Sequence, residues 1–324
     1  MSEIKIPFKI TGYGSYLPPK IQTSEELSSY IGKSSNWIIK HTGVKERRIS
    51  EIDVDQMAAI ACKEAIGDKQ QPDLIINASG VPKQTIPDTS VFIQQQLGYT
   101  GIPSFSIHST CLSFIVALNN AVSLLASNSY ENILIVSSDR GSRGRNFDEP
   151  ESSALLGDAA AAIYIEKTDN NIGLVNYSMN TYSEGALLTQ VKGGGTNLHP
   201  QDQETKKSDN LFTMDGPQVY RMARKKVYDL IKEDLSKFNL EPSNINLVVP
   251  HQASGMAVKA YSKYGGFEES SVVDIIETTG NCVAASIPLA LVMAHKEDRI
   301  KSGNLVYLIG TGAGLSIASF LLRV

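Results

Sequence analysis

DLIINAS at residues 73–79, FSIHS at 105–109, NILIVSS at 132–138 and AAAAIYIE at 159–166 are short, β-rich apolar runs. Amphipathic segments of helix length separate them. This alternation predicts a layered α/β fold. The order then repeats, with INLVVPHQ at 245–252, VVDIIE at 272–277 and NLVYLIG at 304–310 in corresponding places. Ala78 lies 33 residues before Cys111, and His251 lies 31 before Cys282. The repeat predicts two duplicated halves, residues 1–170 and 171–324, joined near TDNNIG at 168–173 within one compact unit. Their strand ends are expected to face each other across a pseudo-twofold axis. The polar, turn-rich stretch from Lys192 to Asn210 reads as a surface excursion.

Composition narrows the function classes. A chain of 324 residues with a net charge of -4 has room for a sizeable core. Its basic residues are spread out rather than massed, which argues against nucleic acid as a partner. No apolar run reaches membrane-spanning length, and MSEIKIPFKI at the start lacks the apolar core of a signal peptide. A cytoplasmic protein with no membrane contact is expected. Three cysteines, Cys62, Cys111 and Cys282, form an odd set without CxxC spacing, so neither a disulfide framework nor a zinc site is expected.

The chemistry centres on SFSIHSTCLSFIVALNNAVSLLA at 104–126, where a strand runs through Ser109 and Thr110 into Cys111 and then a helix. A thiol at a helix start feels unpaired N–H groups and the positive end of the helix, which favours thiolate and offers a donor to an oxyanion. Read alone, Cys111 is equally a small buried hydrophobe. His251 ends an apolar strand in Pro250-His251-Gln252-Ala253-Ser254. Asn281 sits in a glycine turn before VAASIPLALVMA. A satisfied core histidine and a helix cap are the ordinary uses of such residues. The duplication, however, puts all three at strand ends and helix starts of halves that face one another, which points to one site.

These residues carry a resemblance that spans nearly the whole chain. NWIIKHTGVKERRI at 36–49, IPDTSVFIQQQLG at 86–98, the Cys111 segment, LLGDAAAAIYIE at 155–166, PHQAS at 250–254, TTGNCVAASIPLAL at 278–291 and GTGAG at 310–314 occur in register. The sequence resembles the 3-oxoacyl-[acyl-carrier-protein] synthase III branch of the thiolase superfamily. The resemblance implies a five-layered αβαβα fold, a homodimer and a Cys111–His251–Asn281 triad. Cys111 would carry the acyl group, with its own N–H and that of Ala313 as the oxyanion hole. His251 and Asn281 would hold a malonyl thioester as it loses carbon dioxide. Trp37, Ile86, Gly216 and Ser254 would bind substrate, Ile86 by reaching into a partner subunit. No metal or redox cofactor is implied; the substrates are coenzyme A or acyl-carrier-protein thioesters.

Departures from the family pattern concern substrate handling. His41 and Met256 stand where arginines are usual, and DEPESSALLGD at 148–158 also lacks one. Arg221, Arg224, Lys225 and Lys226 are candidate substitutes, or simply a solvated helix face. Thr85 and Pro87 beside Ile86 are not acidic, which favours decarboxylation over head-to-head joining of two chains. Two alternatives remain open: an acyltransferase that moves the Cys111 acyl group to an amine or hydroxyl, and a partner subunit that binds an acyl carrier protein. Cys282, beside Asn281, reads as a small residue lining the site opposite Cys111.

Overall fold

A computed structural model describes residues 3–324. Ten strands build two sheets: β1 (Ile6–Pro7), β2 (Lys9–Tyr16), β3 (Leu74–Asn77), β4 (Ser104–Ser106), β5 (Asn132–Arg140), β6 (Asp158–Glu166), β7 (Gly173–Thr181), β8 (Leu247–Pro250), β9 (Leu305–Gly312) and β10 (Ser316–Arg323). The helices that matter to the site are α1 (Ser35–Thr42), α2 (Val54–Ile66), α3 (Thr89–Leu97), α4 (Ser113–Ala126), α5 (Gly216–Ser236), α6 (Gly255–Gly265) and α7 (Ser286–Lys296).

The first sheet runs β2-β6-β5-β3-β4 and the second β1-β7-β10-β9-β8. In each, a parallel pair (β3 with β5, β8 with β9) leads into antiparallel neighbours. Helices α4 and α7 lie between the sheets and share one apolar core with both, including Leu118, Val122, Leu289 and Val292. Helices α2 and α3 cover the outer face of the first sheet, and α5 and α6 that of the second. The result is the expected αβαβα stack. Burial on both faces explains why LIIN, NILIV and LVV read as continuous apolar runs rather than alternating ones.

Corresponding elements of the two sheets recur at a fixed interval. Leu74 and Leu247 open β3 and β8, Asn132 and Leu305 open β5 and β9, and Ser113 and Ser286 open α4 and α7, each pair separated by 173 positions. Hydrogen bonds repeat at the same interval. Ala78 N–H donates to Val136 O at 2.7 Å and His251 N–H to Ile309 O at 2.8 Å. Ser109 N–H donates to Ser113 Oγ, and Cys282 N–H to Ser286 Oγ, both at 2.9 Å. This register corrects the sequence reading, because Cys282 matches Ser109 and the counterpart of Cys111 is Ala284. Cys282 is 1% exposed in the central core rather than lining a site.

VVDIIE is a second correction. Only Val272 bridges Val248, and residues Ile276–Thr279 turn helical. Gln252 takes over the missing ladder: its Nε2 donates to Val273 O and its Oε1 accepts from Ile275 N–H, both at 3.0 Å. The stretch 192–210 is largely exposed, as expected, between the short paired strands Thr189–Gln190 and Thr213–Met214. Among the described residues no helix is long and apolar enough to cross a membrane.

Candidate active site

The segment after β4 turns sharply at Thr110, whose φ of 51° is left-handed. That conformation is costly for a β-branched residue and marks a backbone held by its surroundings. Ser113 supplies part of the hold: its Oγ accepts from Ser109 N–H and donates to Thr110 O at 2.7 Å. Cys111 follows, two residues before the first turn of α4, partly exposed but with protein packed around its sulfur. Its own N–H and that of Ala313 are directed at the sulfur. They do not make it a thiolate. Burial, and then the charge of Asp139, push the thiol up to about 12, so the acidity expected from the helix start is overridden by desolvation.

His251 follows the last residue of β8 and is 4% exposed. Its N–H is tied to Ile309, its carbonyl accepts from Ala253 N–H at 2.9 Å, and Nδ1 is buried without a partner. Burial lowers its pKa to about 4, so the imidazole is neutral at physiological pH and offers one N–H donor and one acceptor nitrogen. Gly310 sits between this loop and the Cys111 turn. A Cβ there would lie 2.8 Å from His251 Cβ and 3.3 Å from Leu112 Cδ2. Gly312 is similar, for its Cβ would come within 2.6 Å of Thr110 Oγ1. The glycines of GTGAG thus let β9 wedge between the two halves, which is what brings Cys111 and His251 together.

Asn281 lies in a turn pinned to the segment just before β6: its N–H donates to Leu155 O at 2.8 Å and its carbonyl accepts from Gly157 N–H at 3.0 Å. Its Oδ1 accepts from Val283 N–H at 2.9 Å, which leaves the Nδ2 donors aimed toward Ala253 O, 3.4 Å away on the His251 loop. The side chain therefore closes a local turn rather than capping the following helix, whose N-cap is Ala285, and it is also a presented donor.

A cavity of about 570 Å³ runs from the surface between α1, α5 and α6 down to His251 and Thr311. Gly216 and Ser254 line it, along with His41, Glu151, Tyr220 and Met256. Of the proposed substitute cations, Arg221 and Arg224 also line it, whereas Lys225 is exposed and Lys226 is held by Glu184 at 3.3 Å over the ring of Tyr182. Trp37 is set back from the cavity, stacked on His41 with ring centroids 4.3 Å apart and packed on Ile38 and Ala154. Ile86 lies elsewhere, on the surface and 81% exposed. The sequence reading missed Asp139, Glu151 and Tyr220. Asp139 had one available signal, its position at the end of β5 where the duplicated strand carries a glycine.

Two family models match the chain, the C-terminal part of 3-oxoacyl-[acyl-carrier-protein] synthase III over residues 235–324 and the companion model of the same synthase over 105–183. The β-ketoacyl-[acyl-carrier-protein] synthase III of Rickettsia bellii is 31% identical, over 97% of this chain and 99% of the relative. The crystal structure of the Aquifex aeolicus 3-oxoacyl-[acyl-carrier-protein] synthase III superposes with a TM-score of 0.90 at 30% identity, covering 98% of this chain and all (100%) of that one. The corresponding synthase of Pseudomonas aeruginosa gives 0.89 at 26% identity, with 98% of both chains covered. Together with the αβαβα stack, these matches show that the chain belongs to the 3-oxoacyl-[acyl-carrier-protein] synthase III family.

Proposed function

We propose that the protein condenses an acyl group held on Cys111 with a malonyl thioester, releasing carbon dioxide and a 3-oxoacyl thioester. The observation that carries this reading is the sulfur of Cys111 facing its own N–H and that of Ala313, with the buried, neutral His251 across Gly310 from Leu112, the residue after Cys111. In the first step Cys111 sulfur bonds to the carbonyl carbon of an acyl thioester. The two N–H groups hold the oxyanion, and the donor's thiol leaves with the proton that Cys111 gives up. One thiol replaces another, so the exchange balances with no net uptake or release of a proton, Cys111 losing its proton as its sulfur attacks.

In the second step the bond from the malonyl methylene to its carboxylate breaks, and the electron pair passes into an enolate. Its oxygen is held by the imidazole N–H of His251 and an Nδ2 hydrogen of Asn281. The enolate carbon bonds to the acyl carbon, the bond to Cys111 sulfur breaks, and the sulfur takes up a proton. Carbon dioxide release supplies the driving force, so this chemistry calls on no metal or redox cofactor. Gly216 and Ser254 line the path of the arm that bears the thioester, and Trp37 backs the mouth through His41. The exposed Ile86, with Val81 and Val91 also exposed nearby, supports a homodimer in which Ile86 meets the partner. In this reading an acyl carrier protein brings the malonyl unit, and the enzyme works in the cytoplasm, where such thioesters are made.

Intact mass after mixing with a panel of acyl thioesters, then malonyl thioester, tests the reading alongside Cys111→Ala. A mass gain confined to the wild type and discharged with a 3-oxo product is expected. A gain that malonyl thioester leaves in place would point to transfer onto an amine or hydroxyl instead, and no gain at all to a carrier-binding partner subunit.

A further inference from the structure

Asp139, near the end of β5, is completely buried and has no cationic partner among the described residues. Its carboxylate instead accepts backbone N–H groups from Gly80 at 2.9 Å, Val81 at 3.0 Å, Ala284 at 3.1 Å and Ala285 at 3.3 Å. The 173-residue register gives this cluster a meaning, because Asp139 is the counterpart of Gly312, Ala284 of Cys111 and Ala285 of Leu112. The second copy of the nucleophile turn has no sulfur. At the place corresponding to the site beside Cys111, it carries a carboxyl group fixed to the chain, which burial pushes up to about 7 against the pull of four backbone N–H donors, so that it is an anion for only part of the time at neutral pH.

What that carboxyl group grips is the turn that presents Asn281. Residues 281–285 include Val283 at a φ of 54°, a left-handed conformation that needs external support in a β-branched residue. Val283 N–H is also the donor that orients Asn281 Oδ1. We propose that Asp139 is the positioning residue of Asn281, clamping Ala284 and Ala285 to the Gly80–Val81 turn so that the Asn281 carboxamide is fixed against the His251 loop. This rests on the reading that His251 and Asn281 serve the malonyl step. The clamp bonds the Asn281 turn directly, whereas the Cys111 turn is held by Ser113 and meets the clamp only at its margin, where His108 Nε2 lies 3.0 Å from Gly80 O. The two half-reactions should therefore respond differently.

The test separates them in Asp139→Asn, which keeps the shape and one acceptor oxygen, and in Asp139→Ala, which keeps neither. Acylation is followed by intact mass, and discharge of the preformed acyl-enzyme by malonyl thioester is timed separately. Acylation of Asp139→Asn should stay within about 3-fold of wild type or rise, since the Asp139 charge holds the Cys111 thiol up. Discharge should slow about 10- to 100-fold, with Asn281→Ala as the reference expected to slow in the same step, because a displacement approaching 1 Å costs that much. Equal slowing of both steps, an unchanged discharge, or failure of Asp139→Asn to fold would each overturn the proposal. A wild type that does not acylate or does not discharge would sink the condensing reading itself and this inference with it.

Discussion

Gly310→Ala is the sharpest perturbation of the wedge between the two halves. The added Cβ would meet His251 Cβ at 2.8 Å, Ile287 Cδ1 at 3.1 Å and Leu112 Cδ2 at 3.3 Å, where ordinary contact begins at 3.4 Å. Methyl groups at the ends of Ile287 and Leu112 can rotate aside. His251 Cβ cannot, because its backbone is hydrogen-bonded to Ile309. Nor does β9 have room to retreat, for it is paired on one side with β10 through eight registered positions and on the other with β8. About 0.6 Å of movement must therefore fall on the His251 loop, the shortfall between 2.8 and 3.4 Å. Overpacking of this kind costs about 1–3 kcal/mol. A shift of that size in a group that holds the enolate slows the malonyl step by roughly 10- to 100-fold. Urea unfolding and single-turnover discharge of the acyl-enzyme measure the two effects, with Gly195→Ala, which meets nothing within 4 Å, as the neutral control. A Gly310→Ala protein with the wild-type unfolding midpoint and discharge rate would refute the wedge argument.

Three further outcomes follow from the same structure. Alkylation should mark Cys111 and spare the buried Cys62 and Cys282, and with the Cys111 thiol near 12 its rate should rise about tenfold per pH unit between 7 and 9; peptide mapping that finds Cys282 labelled and Cys111 spared would reverse the choice of nucleophile. Because burial lowers the folded pKa of His251 from 6.5 to about 4, its contribution to stability is present above 6.5 and lost as pH falls toward 4, by up to about 3 kcal/mol. His251→Gln should flatten the fall in melting temperature across that window, and parallel curves would contradict the assignment. Asp234, fully buried, accepts from Asn176, Ser178, Tyr307 and Ser319; Asp234→Ala strands those donors and should cost about 3 kcal/mol or more in denaturant titration, whereas a loss below about 1 kcal/mol would mean that water replaces the carboxylate.

Much of the molecule could be read from the chain because its signals are local. Apolar runs such as NILIV and AAAAIYIE, bounded by turn residues, fit strands buried on both faces, and similar runs recur in the second half. Cys111, His251 and Asn281 stand out because each interrupts a strand-to-helix junction with a chemically active side chain. Cys282 misled for the same reason: a cysteine before a small-residue helix looks like a second Cys111, and only the repeated hydrogen bonds move the match to Ala284. VVDIIE has the composition of a strand, but Gln252 satisfies its backbone from the side and leaves one bridge.

The layers, the family and the three residues on which the chemistry is proposed to rest are legible in the chain, since periodicity and motif order are local properties. Only folding shows that burial holds the Cys111 thiol up, that Gly310 and Gly312 leave room for His251 and Thr110, and that Asp139 stands where the second sheet has Gly312. Each of these depends on which groups, far apart in the chain, exclude water from one another, and no local pattern encodes that.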